Sequence, residues 1–142
     1  MFKNKYLFDT STCSLLMANH TQIKAHLAIL KPNDYIFTCT IVRGEILFGI
    51  ERLPIGRKRN ALENQATNLF TLLPCEAVPK LAGNHYAYLK REAEKQGTPL
   101  DENDLWIAAT ALALNAILVT ADRDFQRIIG LGLRLEDWTT IS

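Results

Sequence analysis

The 142-residue chain has few of the residues that would tie it to several common protein classes. Its three cysteines, Cys13, Cys39 and Cys75, are far apart, odd in number and contain no CxxC pair. That pattern argues against a disulfide framework and implies reduced thiols in a cytoplasmic protein, with Cys39 a small buried hydrophobe in the apolar run YIFTCTI. The three histidines, His20, His26 and His85, form no HExxH and no Cys/His cluster, so zinc lacks its usual ligands. Neither sign of charge dominates: 16 Lys and Arg stand against 15 Asp and Glu, a formal net charge of +1. No whole-molecule field attracts nucleic acid, and any polyanion must be met by local basic groups or by bound cations.

Long apolar runs are missing too. MFKNKYLFD offers an apolar run of only three residues before Asp9, too short for a signal peptide. The longest candidate, Leu105–Ala121, falls short of the roughly 20 residues a membrane span needs and is interrupted by Asn115. Before Asn115 stand helix formers, AATALAL; after it comes Ile-Leu-Val-Thr, a strand composition. Helix, turn and buried strand is the better parse, and a soluble protein without a membrane partner is expected. With 48% hydrophobic and 22% charged residues, no repeat and no low-complexity tract, residues 1–142 read as one domain with a substantial core.

What is present is a regular alternation. Lys5–Phe8 is short and apolar, a first strand ending at Asp9 in the turn-like Asp-Thr-Ser-Thr. Helices are expected around 12–18 and 21–30, the second with Ile23, Leu27 and Leu30 at helical spacing. After the turn Lys31-Pro32-Asn33-Asp34, Tyr35–Thr40 reads as a buried strand. Ile41, Val42, Ile46, Gly49, Ile50 and Leu53 then mark one face of a helix that stops before Pro54. A helix from about Arg57 to Leu69 follows, then a short strand or loop within Phe70–Val78, then a helix opened by Pro79 and closed by Gly97. The spacing finally gives a helix over 101–114, a strand over 116–120, a short helix over 123–129 and a strand near Leu133–Glu136. Strands alternating with helices predict an α/β sandwich around a mainly parallel sheet. Ligands of such sheets bind beyond the carboxyl ends of the strands.

Acids fall where that rule puts chemistry. Asp9 ends the first strand, Glu45 lies one or two turns into the helix leaving the second, and Asp122 follows Ile117–Thr120 by two residues. Asp104, in PLDENDLWIAAT, sits in the opening turn of its helix and must be brought to the others by the fold. Each has a plainer reading. Asp9 or Ser11 caps a helix, Asp101-x-x-Asp104 resembles a capping box, Asp124 caps or supports, Glu45 pairs with Arg43, Arg52 or another basic side chain, and Asp122 is a loop residue.

Jointly they resist those readings. Two carboxylates about 4 Å apart repel by about 4 kcal/mol at an effective dielectric of about 20. Four cost several times that, against total stabilities of about 5–15 kcal/mol. Protonation, basic partners or cations must compensate. An all-oxygen set without His or Cys suits Mg²⁺ or Mn²⁺, and a pair of such ions roughly 3.5–4 Å apart activates water and stabilises the leaving oxygen of a phosphodiester.

The succession LFDTST, VRGEILFGIERL and DENDLWIAATALALNAILVTADRDF resembles a PIN domain of the VapC toxin type across nearly the whole chain, including the closing GLGLRLEDW. Its most specific part is the spaced DLWIAA…LVTxDxDF. The resemblance implies a PIN-like α/β/α sandwich and a metal-dependent endoribonuclease in which water cleaves RNA. Asp9, Asp104 and Asp122 would hold Mg²⁺ or Mn²⁺, while Glu45 would hold it or position the water. Thr10, Ser11 and Thr120 fall at supporting positions, Ser11 where many members carry Asn. Asp101 stands where many have Gly, and Asp124 at a frequently acidic position. Homodimers and a small antitoxin whose C-terminal segment covers the active-site groove are also implied.

Two other enzyme or signalling classes fit the sequence less well. An aspartate-nucleophile phosphatase needs a second Asp two residues on, which Asp9-Thr10-Ser11 lacks, and a receiver domain needs an acidic pair near its N-terminus. The non-enzymatic rival is a PIN-like RNA-binding or scaffold protein without turnover, against which the complete set of acids speaks. Arg57-Lys58-Arg59, Trp106 and Tyr86 are possible RNA contacts, with a solvated helix start and ordinary packing as the plainer accounts.

Overall fold

A computed structural model describes residues 2–140. Strands β1 (Asn4–Phe8), β2 (Asp34–Cys39), β3 (Cys75–Glu76), β4 (Ile117–Val119) and β5 (Leu135–Glu136) form one sheet in the order β3-β2-β1-β4-β5, every pairing parallel. Helices α1 (Thr10–Met17), α2 (Thr21–Ala28), α3 (Thr40–Glu51) and α4 (Arg57–Leu72) carry the chain from β1 outward to β3. Helices α5 (Ala82–Gln96) and α6 (Glu102–Ala113) bring it back past β1 to β4. Because right-handed crossovers in opposite directions place their helices on opposite faces, the sheet is covered on both sides. The expected α/β sandwich is therefore the one that forms.

Strands buried on both faces need continuous apolar runs. Leu7, Phe8, Phe37, Cys39, Leu118 and Val119 accordingly have essentially no solvent exposure. Trp138 seals the far side, edge-on to Tyr6 and Phe8 and stacked on His26. Asn115 resolves the long apolar run: it adopts a left-handed φ of 54°, which Asn tolerates better than most residues, and turns α6 into β4. Gly97, at φ 70°, ends α5 in the same way. Among the described residues no helix is long and apolar enough to cross a membrane.

Most boundaries fall within two residues of expectation, and two differ by three. Helix α4 runs on to Leu72, and extended backbone begins only at Leu73 (φ −106°, ψ 117°), because the following Pro74 disfavours helical geometry there. Helix α5 starts at Ala82, with Pro79–Leu81 forming the turn that leads in. The short strand foreseen within Phe70–Val78 is β3, only two residues long.

Topology now fixes the edge at which chemistry can occur. The chain leaves β1 in one direction and returns to β4 on its other side, so the crevice beyond β1 and β4 is the switch point of the sheet. Asp9 and Asp122 follow those two strands. Helix α3 starts directly from β2, which puts Glu45 near the same edge. Helix α6 leads into a parallel strand and so must begin at the carboxyl edge, which is where its first turn carries Asp104.

Candidate active site

Asp9 is the buried anchor of this edge, only 3% exposed. Its Oδ1 accepts the Thr12 backbone N–H at 2.9 Å, capping α1, and its Oδ2 accepts the Thr120 hydroxyl at 2.6 Å. The Ser11 hydroxyl reaches both oxygens, at 2.8 and 2.9 Å. Ser11 Oγ in turn accepts the Ala121 N–H at 3.1 Å, and Thr120 Oγ1 accepts the Asp122 N–H at 2.9 Å. Asp9 thus caps a helix and also stitches together the loops that follow β1 and β4. Burial pushes its pKa up, and the hydrogen bonds from Thr120, Thr12 and Ser11 oppose that push.

Removing one stitch is informative. Thr120→Val keeps the shape but deletes the donor to Asp9 and the acceptor for Asp122 N–H. Leaving such buried groups unsatisfied costs about 1–3 kcal/mol, so a matching loss of unfolding free energy is expected in urea titrations.

Around this anchor stand carboxylates without cationic partners. Among the described residues, no lysine or arginine nitrogen lies within 4.0 Å of Asp9, Glu45, Asp104 or Asp122. Burial, then Asp122, Asp101, Glu45 and Asp9 in that order, push the Asp104 carboxyl up from its ordinary 3.8 to about 7. The four acids singled out in the sequence therefore share one electrostatic site. Oxygens of Asp104, Asp122 and Asp124 come within 4.8 Å of one another, so Asp124 belongs closer to the centre than a distant support would. Asp122 also caps the 3-10 helix Arg123–Leu131 by accepting the Asp124 N–H at 2.9 Å, and Asp124 pairs with Arg127 at 3.3 Å.

Glu45 pairs with neither Arg43 nor Arg52; those guanidinium groups lie over the rings of Phe70 and Phe48. Its carboxylate instead accepts the Thr10 hydroxyl at 2.6 Å and the Asn103 amide at 3.3 Å. Asn103 is the residue that sequence reasoning passes over: it ties the start of α6 to α3 and so holds Glu45 beside Asp104. Asp101 accepts the Asn103 N–H at 3.3 Å, the capping role foreseen for it, while Asp104 stays free to face the other acids. Tyr86 and Trp106 stack on each other at 4.1 Å, which accounts for both as packing.

The donor set fits a hard divalent cation. It is all oxygen and all anionic. Opposite oxygens on Mg²⁺ sit about 4.2 Å apart, within a small side-chain adjustment of the observed trio. For the metal-free protein the same crowding sets a pH dependence. The folded chain holds the Asp104 proton more tightly than the unfolded chain, so this stabilising contribution, full below 3.8, is lost as pH rises through about 7. Melting temperatures in a chelator are expected to fall from about pH 5 to about pH 8, and thermal scans across that window check it.

Residues 6–131 match the family model for the PIN domain. Ribonuclease VapC1 of Haemophilus influenzae (strain R2866) is 34% identical over 139 residues, covering 94% of this chain and 98% of that protein. The toxin–antitoxin assembly VapBC-1 from nontypeable Haemophilus influenzae contains a chain that superposes with a TM-score of 0.83 at 30% identity, covering 96% of this chain and 99% of that one. A chain of VapBC2 from Rickettsia felis, solved with a DNA fragment from its promoter, superposes equally well (TM-score 0.83, 28% identity, coverage 94% and 98%). With more than half of its length inside the family model and relatives matched end to end, the chain belongs to the PIN-domain family, among the VapC ribonucleases.

Proposed function

We propose that this protein is a divalent-metal-dependent endoribonuclease and the toxin of a toxin–antitoxin pair, acting as a single domain in the cytoplasm. The observation that carries the reading is the set of carboxylates at the β1/β4 crevice. Asp9, Glu45, Asp104 and Asp122 have no Lys or Arg nitrogen within 4.0 Å among the described residues, and burial together with the neighbouring acids pushes the Asp104 carboxyl up to about 7. Fixed negative charge of that density repels a phosphodiester unless cations intervene. The relatives named ribonuclease VapC supply the class of reaction, and the VapBC complexes supply the class of partner, a small antitoxin. A homodimer completes the assembly we propose.

In this reading Asp9, Asp104 and Asp122 hold Mg²⁺ or Mn²⁺, with Asp124 at the solvent side of the same cluster. Bound there, the cation supplies Lewis acidity toward the phosphate and lowers the pKa of water. The chain's own residues supply orientation. The hydroxyls of Ser11 and Thr120 fix the Asp9 carboxylate and favour its ionised form against the effect of burial. Thr10 and Asn103 hold the Glu45 carboxylate where it can accept a proton from the attacking water. Asn103→Ala frees one side of Glu45, and an approximately tenfold to hundredfold loss in kcat is expected, in the range of other groups that orient catalytic side chains.

The test is cleavage of RNA by purified protein with Mg²⁺ or Mn²⁺ and with chelator, together with growth arrest on expression and its relief by a coexpressed antitoxin. A catalytically silent RNA-binding protein, the second reading, would bind RNA and cut none under any metal condition.

A further inference from the structure

Beside the acids, and sharing Thr10, Glu45 and Asn103 with them, runs an open groove of about 590 Å³. One stripe of α3 and its C-terminal cap forms its wall: Glu45, Phe48 and the capping Arg52 recur at three- and four-residue spacing and all line it. With a rise of about 1.5 Å per residue, the stripe leads about 10 Å away from the acidic site. Phe48 is 63% exposed, an unusual place for a large aromatic ring. The Arg52 guanidinium lies 5.4 Å from the ring centroid, and among the described residues no carboxylate oxygen comes within 4.0 Å of it. Gly44 adds to the opening, because nothing lies within 4 Å of where its Cβ would stand.

We propose that this groove is a subsite for single-stranded RNA, in which a base beside the scissile bond stacks on Phe48 and a neighbouring phosphate is held by Arg52. The inference rests on the ribonuclease reading and adds to it the path of the substrate. A π-face and a cation without an acidic partner are what an unpaired nucleotide requires, and they recur wherever single strands are held without base readout. A purely apolar partner segment would leave Arg52 buried without a counter-charge. Leu47, the exposed apolar neighbour of Phe48, faces a different groove with Arg43 and Phe70, so the stripe toward the acids is not simply part of a continuous greasy face. Duplex RNA keeps its bases stacked inside the helix and offers no face to Phe48.

The experiment measures binding of a fluorescent mixed-sequence oligoribonucleotide, single-stranded or annealed to its complement, to the full chain carrying Asp104→Asn. Phe48→Ala, Phe48→Trp, Arg52→Ala and Arg52→Lys are compared in that background, and in the parent for kcat and KM, with light scattering to follow oligomeric state. Phe48→Ala is expected to weaken single-strand binding about 5- to 150-fold, by the usual cost of a lost base stack, and Phe48→Trp to preserve it. Arg52→Ala should lower the salt slope by about one, with Arg52→Lys restoring it. Duplex binding should be weaker and indifferent to Phe48. Unchanged single-strand affinity in Phe48→Ala and Arg52→Ala overturns the subsite, as does a loss that appears only in step with subunit dissociation, which would mark a protein interface instead. Failure of the ribonuclease reading is separate: the parent would then cut no RNA, or would cut equally well with Asp104→Asn.

Discussion

Asp104→Asn is expected to reduce RNA cleavage by about a thousandfold or more while raising the melting temperature of the metal-free protein. The two effects share one cause. Asp104 is half-buried, faces Asp122, Asp101, Glu45 and Asp9, and has its carboxyl pushed up to about 7. An amide of the same shape removes the repulsion without opening a cavity, so the metal-free fold gains. The same change removes an anionic oxygen from the cation site. Electrostatic stabilisation by a bound metal is worth several kcal/mol in the transition state, and about 1.36 kcal/mol corresponds to each factor of ten. Paired thermal scans in chelator and cleavage assays with Mn²⁺ read both halves. A variant that melts lower and cuts less would point to a structural role for Asp104.

Phe8→Ala is expected to do the reverse. Phe8 is fully buried in the central strand, immediately before Asp9, with its ring edge-on to Trp138 at 5.1 Å. Truncating such a ring costs about 3–5 kcal/mol through lost transfer energy and the cavity left behind. For a chain of this size that is a fall of about 10–20 °C in melting temperature. At temperatures where the variant remains folded, its cleavage should fall far less than that of Asp104→Asn, because no charge at the site has been removed. Urea titrations and cleavage at low temperature separate the two. A loss of unfolding free energy below about 1 kcal/mol would contradict the prediction that Phe8 anchors the core. The scaffold supplies stability, and the acids spend part of it.

That division explains what can be read from the sequence. Asp9, Glu45 and Asp122 are legible because each follows a strand closely, and parallel strands put their carboxyl ends together. Asp104 is not legible in that way by itself: only the observed parallel pairing of β4 with β1 makes α6 start at the carboxyl edge and so brings its first turn to the other acids. Asn103 carries no such signal. An amide at a helix start is commonly a capping residue, and only the approach of α3 turns this one toward Glu45. The double service of Ser11, donor to Asp9 and acceptor from Ala121, likewise depends on two loops 110 residues apart in sequence. The length of α4 was open to inspection, since Pro74 bars helical geometry only at Leu73 and leaves Leu72 free to continue the turn.

Cleavage of RNA by the purified chain, followed through a cycle of metal removal and return, tests the account most directly. Product should form with Mg²⁺ or Mn²⁺, cease in EDTA and resume when the cation is restored, and Asp104→Asn should form about a thousandfold less, or less still, at every stage. Undiminished cleavage in EDTA by both proteins would contradict it.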